Sequence, residues 1–159
     1  MKFNKKITNL LIILISTFAL SACSTAKKSG GAGSSDVYSG TETVQYLASG
    51  VKDRVFFATN RSALTTASRD TLRKQASWMR KNKKLNVVLE GHGDERGTRE
   101  YNLALAEKRA NAARDYLLTY GISGKRVSVI SYGKEKPVNS DSTPLAWSQN
   151  RRSVTVKTK

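Results

Sequence analysis

The groups best suited to recognising a charged ligand are concentrated between Leu89 and Ala110, in the stretch L-E-G-H-G-D-E-R-G-T-R-E-Y-N-L-A-L-A-E-K-R-A. Asp94 supplies a carboxylate that only accepts hydrogen bonds when ionised, and Arg109 supplies a planar guanidinium that only donates them. The chemistry open to such a pair is charge-assisted hydrogen bonding to a ligand. The same two residues also have an ordinary reading, as surface charges or as an exposed ion pair worth about 0–1 kcal/mol. Hydrolytic chemistry is poorly provided for. His92 is the only histidine, no G-x-S-x-G elbow accompanies it, and one imidazole makes no metal site. The expectation is a binding protein and not an enzyme, with no metal and no cofactor.

A strand, a turn and a helix must position these groups. Leu85, Val87, Val88 and Leu89 form an apolar run that predicts a buried strand over Leu85–Glu90. Gly91, Gly93 and Gly97 read as backbone devices for a tight turn. A strand that ends in such a polar turn at a helix start is where α/β folds place ligands. The helix is predicted over Thr98–Tyr120, with Thr98 as N-cap and Gly121 at the C′ position. Leu103, Ala106, Ala110, Ala113, Leu117 and Tyr120 recur at spacings of three and four, which draws one apolar stripe. Asn102, Leu105 and Arg109 lie on the neighbouring face. On this reading Asp94, at the strand end, faces Arg109 across a shallow cleft.

The remaining elements follow from the same patterns. Val51–Ala58 is a strand candidate ending in Phe56 and Phe57, which should face alternately into the core and into the cleft. A polar loop, Thr59–Ser62, leads to a helix around Thr66–Asn82. Arg126–Tyr132 alternates as a third strand, and a loop containing Pro137 and Pro144 precedes a last strand over Arg152–Lys157. Trp78 and Trp147 are open between core and partner surface. The order β-α-β-α-β-β predicts an α+β two-layer sandwich, with two main helices on one face of a small mixed sheet.

The N-terminus has a different character. Lys2, Lys5 and Lys6 precede an uncharged run of eleven residues, Leu10–Leu20, too short for the roughly 20 residues of a spanning helix. A basic start, a short apolar run and small residues after it describe an export signal. The segment Leu20-Ser21-Ala22-Cys23 resembles the bacterial lipoprotein signal, in which the cysteine is lipidated and becomes the first mature residue. Cys23 is the only cysteine, so it has no disulfide partner in this chain. Ser24 in place of Asp favours, within that pattern, the outer membrane over the inner. Residues 24 to about 48 are rich in Ser, Gly and Thr and read as a tether, with a root-mean-square reach of about 25–30 Å.

The chain carries 28 basic and 12 acidic residues, a formal charge of +16. Loss of residues 1–22 removes three lysines and leaves 25 against 12, a formal +13. Nucleic acid is an unsuitable counterpart for an exported chain with scattered basic residues and no recognised helix motif. An anionic wall or lipid surface suits it better.

Three separated motifs point to one family. E-G-H-G-D-E-R-G-T-R-E-Y-N-L-A-L-A-E-K-R-A-N-A, S-Y-G-K-E-K-P at Ser131–Pro137 and N-R-R-S-V at Asn150–Val154 together resemble the OmpA-like peptidoglycan-binding domain. The division implied is a signal peptide over 1–22, lipidated Cys23 and a linker over 23–48, and an OmpA-like domain over 49–159. The family implies noncovalent binding of peptidoglycan through the diaminopimelate of its stem peptide. Its acidic turn residue falls on Asp94 and its helix arginine on Arg109, with Asn102 and Leu103 at the helix start. Phe57 and Arg151 are supporting candidates from the first and last strands. With the lipoprotein signal in front, the resemblance also implies lipid anchorage in the outer membrane facing the periplasm, and a TolB-like periplasmic partner. Work in the Tol-Pal system of envelope integrity and cell division goes with that. The chain departs from the family where an acidic residue usually follows the first-strand aromatics, since Ala58, Thr59 and Asn60 stand there. A lipid-anchored docking protein without peptidoglycan binding is therefore the alternative reading.

Overall fold

The computed structural model describes residues 43–158. The signal segment, Cys23 and the tether up to residue 42 lie outside these residues. A hairpin, β1 (Tyr46–Ala48) and β2 (Val51–Lys52), leads into β3 (Arg54–Phe56). Helix α1 (Thr66–Lys81), β4 (Asn86–Gly91), α2 (Arg99–Thr119), β5 (Val127–Ser131), the short α3 (Pro144–Asn150) and β6 (Arg152–Thr158) follow. The main sheet has the order β3-β6-β4-β5, with β4 and β5 parallel and β6 antiparallel to both neighbours. The last strand of the chain thus lies in the middle of the sheet. This is the mixed sheet carrying two main helices that the periodicity predicts.

Both long helices stop and start where their end residues dictate. Thr65 accepts from the Ser68 backbone N–H at 3.1 Å, and Thr98 accepts from that of Tyr101 at 3.2 Å, so each covers an otherwise unpaired helix N–H. At the end of α2, Gly121 takes φ +78°. Its N–H donates to Leu118 O (2.9 Å) and that of Ile122 to Leu117 O (3.4 Å), a Schellman closure. Arg126 closes the end of α1 from outside: its Nη2 donates to the carbonyls of Met79, Asn82 and Leu85 at 3.1, 2.8 and 2.6 Å.

The core lies between one face of the sheet and the helices. Val55, Val87, Leu89 and Val127 meet Leu72, Ala76 and Met79 of α1 and Ala110, Ala113 and Leu117 of α2. Fully buried Gln75 is a polar strut inside it, donating to Lys52 O at 2.8 Å and accepting from Thr155 Oγ1 at 2.7 Å. One α1 residue thereby ties the hairpin to the central strand.

Four expectations are corrected. The buried face of α2 carries Asn102, Leu105 and Arg109 beside Ala106, Ala110, Ala113 and Leu117, while Leu103 is 40% exposed. The helix is rotated from the purely apolar stripe because Asn102 and Arg109 find carbonyl partners inside. Phe56 and Phe57 are both buried, Phe57 completely, so neither ring lines an open cleft. The loop holding Pro144 contains helix α3, started by Thr143 accepting from Ala146 N–H at 3.2 Å and by Pro144 in its first turn. Residues 46–48, expected in the linker, form a strand whose Leu47 is buried.

Candidate functional site

Asp94 sits in the turn that leaves β4. Sheet pairing continues past the strand, with His92 N–H donating to Arg152 O (2.9 Å) and Gly93 N–H to Gly133 O (2.7 Å). The turn passes against α2 because Gly93 lacks a side chain: a Cβ there would lie 2.3 Å from Asn102 Oδ1. Asn102, buried in the first turns of α2, holds the loop by donating Nδ2 to the carbonyls of Arg96 (2.6 Å) and Thr98 (3.1 Å). Gly97, at φ +85°, supplies the left-handed residue that brings the chain round. Asn102 thus shapes the turn that aims Asp94.

Asp94 is buried, and its carboxylate is gripped by two guanidiniums. Arg96 Nη2 lies 2.6 Å from Oδ2, with Arg96 Nε and backbone N at 3.3 and 3.2 Å from Oδ1. Arg151 Nη1 lies 3.2 Å from Oδ2. Burial alone pushes the Asp94 carboxyl up, but the hydrogen bonds from Arg96 and Arg151 outweigh it and hold the group below the usual carboxylate value. Arg151 is itself fixed by donating Nε to Phe57 O at 3.0 Å, while Phe57 N–H donates to Arg151 O at 2.9 Å. Phe57 therefore serves the site through its backbone.

Arg109 turns away from the ion pair with Asp94 that is the ordinary reading of the two residues. Its guanidinium, 1% exposed, donates Nε to Arg61 O (2.9 Å), Nη1 to His92 O (3.0 Å) and Nη2 to Ala58 O (3.1 Å). It also lies over the Phe57 ring, 5.5 Å from the centroid. Three carbonyls from the β3–α1 loop and the β4 turn have converged on one planar fork, so the fork cannot also turn flat onto Asp94. Burial and the neighbouring charge of Arg151 lower its pKa to about 10, while Asp94 draws it back up. Arg109 thus stays protonated at neutral pH, and three guanidiniums gather about one carboxylate. That leaves positive potential for an anionic group of a ligand.

The rim comes from residues that spacing did not single out. Arg96, 41% exposed along its side chain, stacks over Trp147 at 4.3 Å from the ring centroid and reaches Thr59 Oγ1 at 3.4 Å. Trp147 Nε1 donates to Glu95 Oε1 (2.8 Å), and Ser142 Oγ to Glu95 Oε2 (3.0 Å). The local signal for Arg96 is its place two positions after Asp94 in a tight turn. Nothing local in the sequence brings Trp147 there. Leu103 projects elsewhere, with its backbone set against Ser131 and Gly133 on the β5 side. Cys23 lies outside the described residues.

The OmpA family pattern matches residues 56–151, from the end of β3 to the arginine that pairs with Asp94. A peptidoglycan-associated lipoprotein of Rhizobium meliloti is 43% identical over 150 residues, 92% of this chain and 85% of that protein. One from Agrobacterium fabrum is 46% identical over 127 residues, 80% of this chain and 70% of that protein. Among solved structures, the peptidoglycan-associated lipoprotein of Burkholderia pseudomallei superposes with a TM-score of 0.66 at 34% identity, covering 67% of this chain and 91% of that one. The C-terminal domain of Helicobacter pylori MotB shares the fold alone, with a TM-score of 0.63 at 20% identity over 67% of this chain and 84% of that one. The family match runs from the last residue of β3 to Arg151, just before β6, and takes in every residue of the Asp94 cluster; the chain belongs to the OmpA family.

Proposed function

We propose that this chain is an outer-membrane lipoprotein that holds peptidoglycan noncovalently through the diaminopimelate of a stem peptide. The free end of diaminopimelate carries an ammonium and a carboxylate on one carbon, so its site needs a fixed anion beside a fixed cation. The observation that carries the reading is the Asp94 carboxylate set among Arg96, Arg109 and Arg151. The ligand ammonium takes up Asp94, and its carboxylate takes up guanidinium donors. Arg96 is the exposed partner of Asp94 and the one able to shift from it to the incoming carboxylate. The names of the relatives point the same way, as does the lipoprotein pattern at Cys23.

Charge-assisted hydrogen bonds contribute about 1.5–3 kcal/mol each, from which the cost of association is subtracted. One stem peptide therefore binds modestly, and anchorage beside a polymeric ligand raises the effective concentration. A TolB-like protein meeting this end of the domain would compete with the wall for it. The test is a titration of residues 24–159 with a diaminopimelate-containing stem peptide, beside a lysine-containing one, for wild type and Asp94→Ala. Selective binding lost in the folded variant supports the reading. Equal binding of both peptides that survives the substitution sinks it, and no binding at all leaves a partner-docking lipoprotein.

A further inference from the structure

The sheet face turned away from α1 and α2 carries a second polar cluster. Strand register sets Arg54, Val154 and Glu90 side by side across β3, β6 and β4. Arg152 lies two residues before Val154, and His92 two residues after Glu90. With Lys136 from the β5–α3 loop they line an open-mouthed cavity of about 550 Å³. Val44, Pro137 and Val138 give it an apolar wall.

The hydrogen bonding of this cluster is incomplete. Arg152, 6% exposed, donates Nη1 to Asn150 O (3.3 Å) and Nη2 to Lys136 O (3.1 Å), but its buried Nε has no partner. The ring of His92, 3% exposed, has the Lys136 backbone and Glu90 Oε2 (3.7 Å from Nε2) near it, but neither ring nitrogen makes a hydrogen bond of full geometry. Unpaired buried polar groups are costly, so a ligand that satisfies them gains directly. The charges are also unequal. Asp53 engages Arg54 through bonds of 2.9 and 2.7 Å. Against Asp53 and Glu90 stand Arg54, Arg152 and Lys136, one positive charge in excess.

We propose that this cavity binds a carboxylate carried on a small apolar body, at a site separate from Asp94. A carboxylate offers two acceptor oxygens to the Arg152 Nε–H and an imidazole N–H, and its single charge neutralises the excess. Its apolar body meets Val44, Pro137 and Val138. The carboxylate can come from a peptide C-terminus or from an acidic side chain.

His92 is the only histidine in the chain, so its ring resonances report on this cavity without overlap from another histidine. The experiment follows them by NMR in the histidine-labelled full chain in detergent micelles, at constant ionic strength. N-acetylvaline presents a terminal carboxylate, N-acetylglutamate α-amide a side-chain one, and N-acetylvalinamide none. A saturable shift with either acid and none with the neutral amide is expected, and the stronger acid identifies the source. Arg152→Lys should weaken binding at least tenfold, in keeping with loss of a charged hydrogen bond. Lys136→Gln, at an exposed position, should weaken it about threefold with folding intact. The proposal is overturned if the neutral amide shifts His92 equally, if chloride or inorganic phosphate alone reproduces the shift, or if neither acid moves it.

Discussion

Arg151 Nη1 stands 3.2 Å from Asp94 Oδ2, with the two side chains 4% and 9% exposed. A residue at the start of the central strand thus fixes the carboxylate at the end of its neighbour. Removing one partner of a buried pair costs about 3–5 kcal/mol. Since Arg96 remains on Asp94, Arg151→Gln should cost about 3 kcal/mol in urea unfolding. A double-mutant cycle with Asp94→Asn should show positive coupling, and additive losses would mean the contact contributes nothing.

Arg109 is expected to behave as a strut as well as a charge. Arg109→Lys keeps the charge but cannot span the carbonyls of Ala58, Arg61 and His92, which the guanidinium joins at 2.9–3.1 Å. Stability should fall by about 2–4 kcal/mol. Hydrogen exchange should rise selectively in residues 58–62. Unchanged stability in the lysine variant would show that charge alone matters there.

Gly91 is demanded by close approach. A Cβ at this position would fall 1.9 Å from the backbone oxygen of Ala106, and neither β4 nor α2 can yield without disturbing the core. Gly91→Ala should cost upwards of about 3 kcal/mol. A calorimetric melting temperature within a degree or two of wild type would contradict this packing.

His92 makes the fold acid-sensitive. Burial first, then the charges of Arg152 and Arg54, lower its pKa from 6.5 to about 3. Below pH 6.5 the unfolded chain takes up a proton that the folded chain refuses until about pH 3. The stability due to neutral His92 is complete above pH 6.5 and is lost progressively down to pH 3, at roughly 1.4 kcal/mol per unit. Asp94 acts in the same direction at lower pH, since its depressed pKa confers stability above its unfolded value that is lost on further acidification. Unfolding between pH 7 and 4 should therefore show a steep decline in wild type and a flatter one in His92→Gln. Parallel curves would refute the assignment to His92.

Local patterns in the sequence carried the two long helices, the Thr98 cap and Gly121, because a cap is made by residues within one turn of each other. They also carried Asp94 as an acid in a glycine-rich turn at a helix start. Which cation meets Asp94 was not legible. Spacing put Arg109 nearby, but whether it pairs with a carboxylate or gathers backbone carbonyls depends on the loop after β3, which lies 48–51 residues earlier in the chain. Arg151 is brought to Asp94 by the insertion of β6 between β3 and β4, and Trp147 to Arg96 by α3 just before it. Periodicity reports which face of an element is apolar; it carries no information about contacts made across a sheet. The pairing order of the strands is set by packing of the whole core, and that order decided the partners of Asp94.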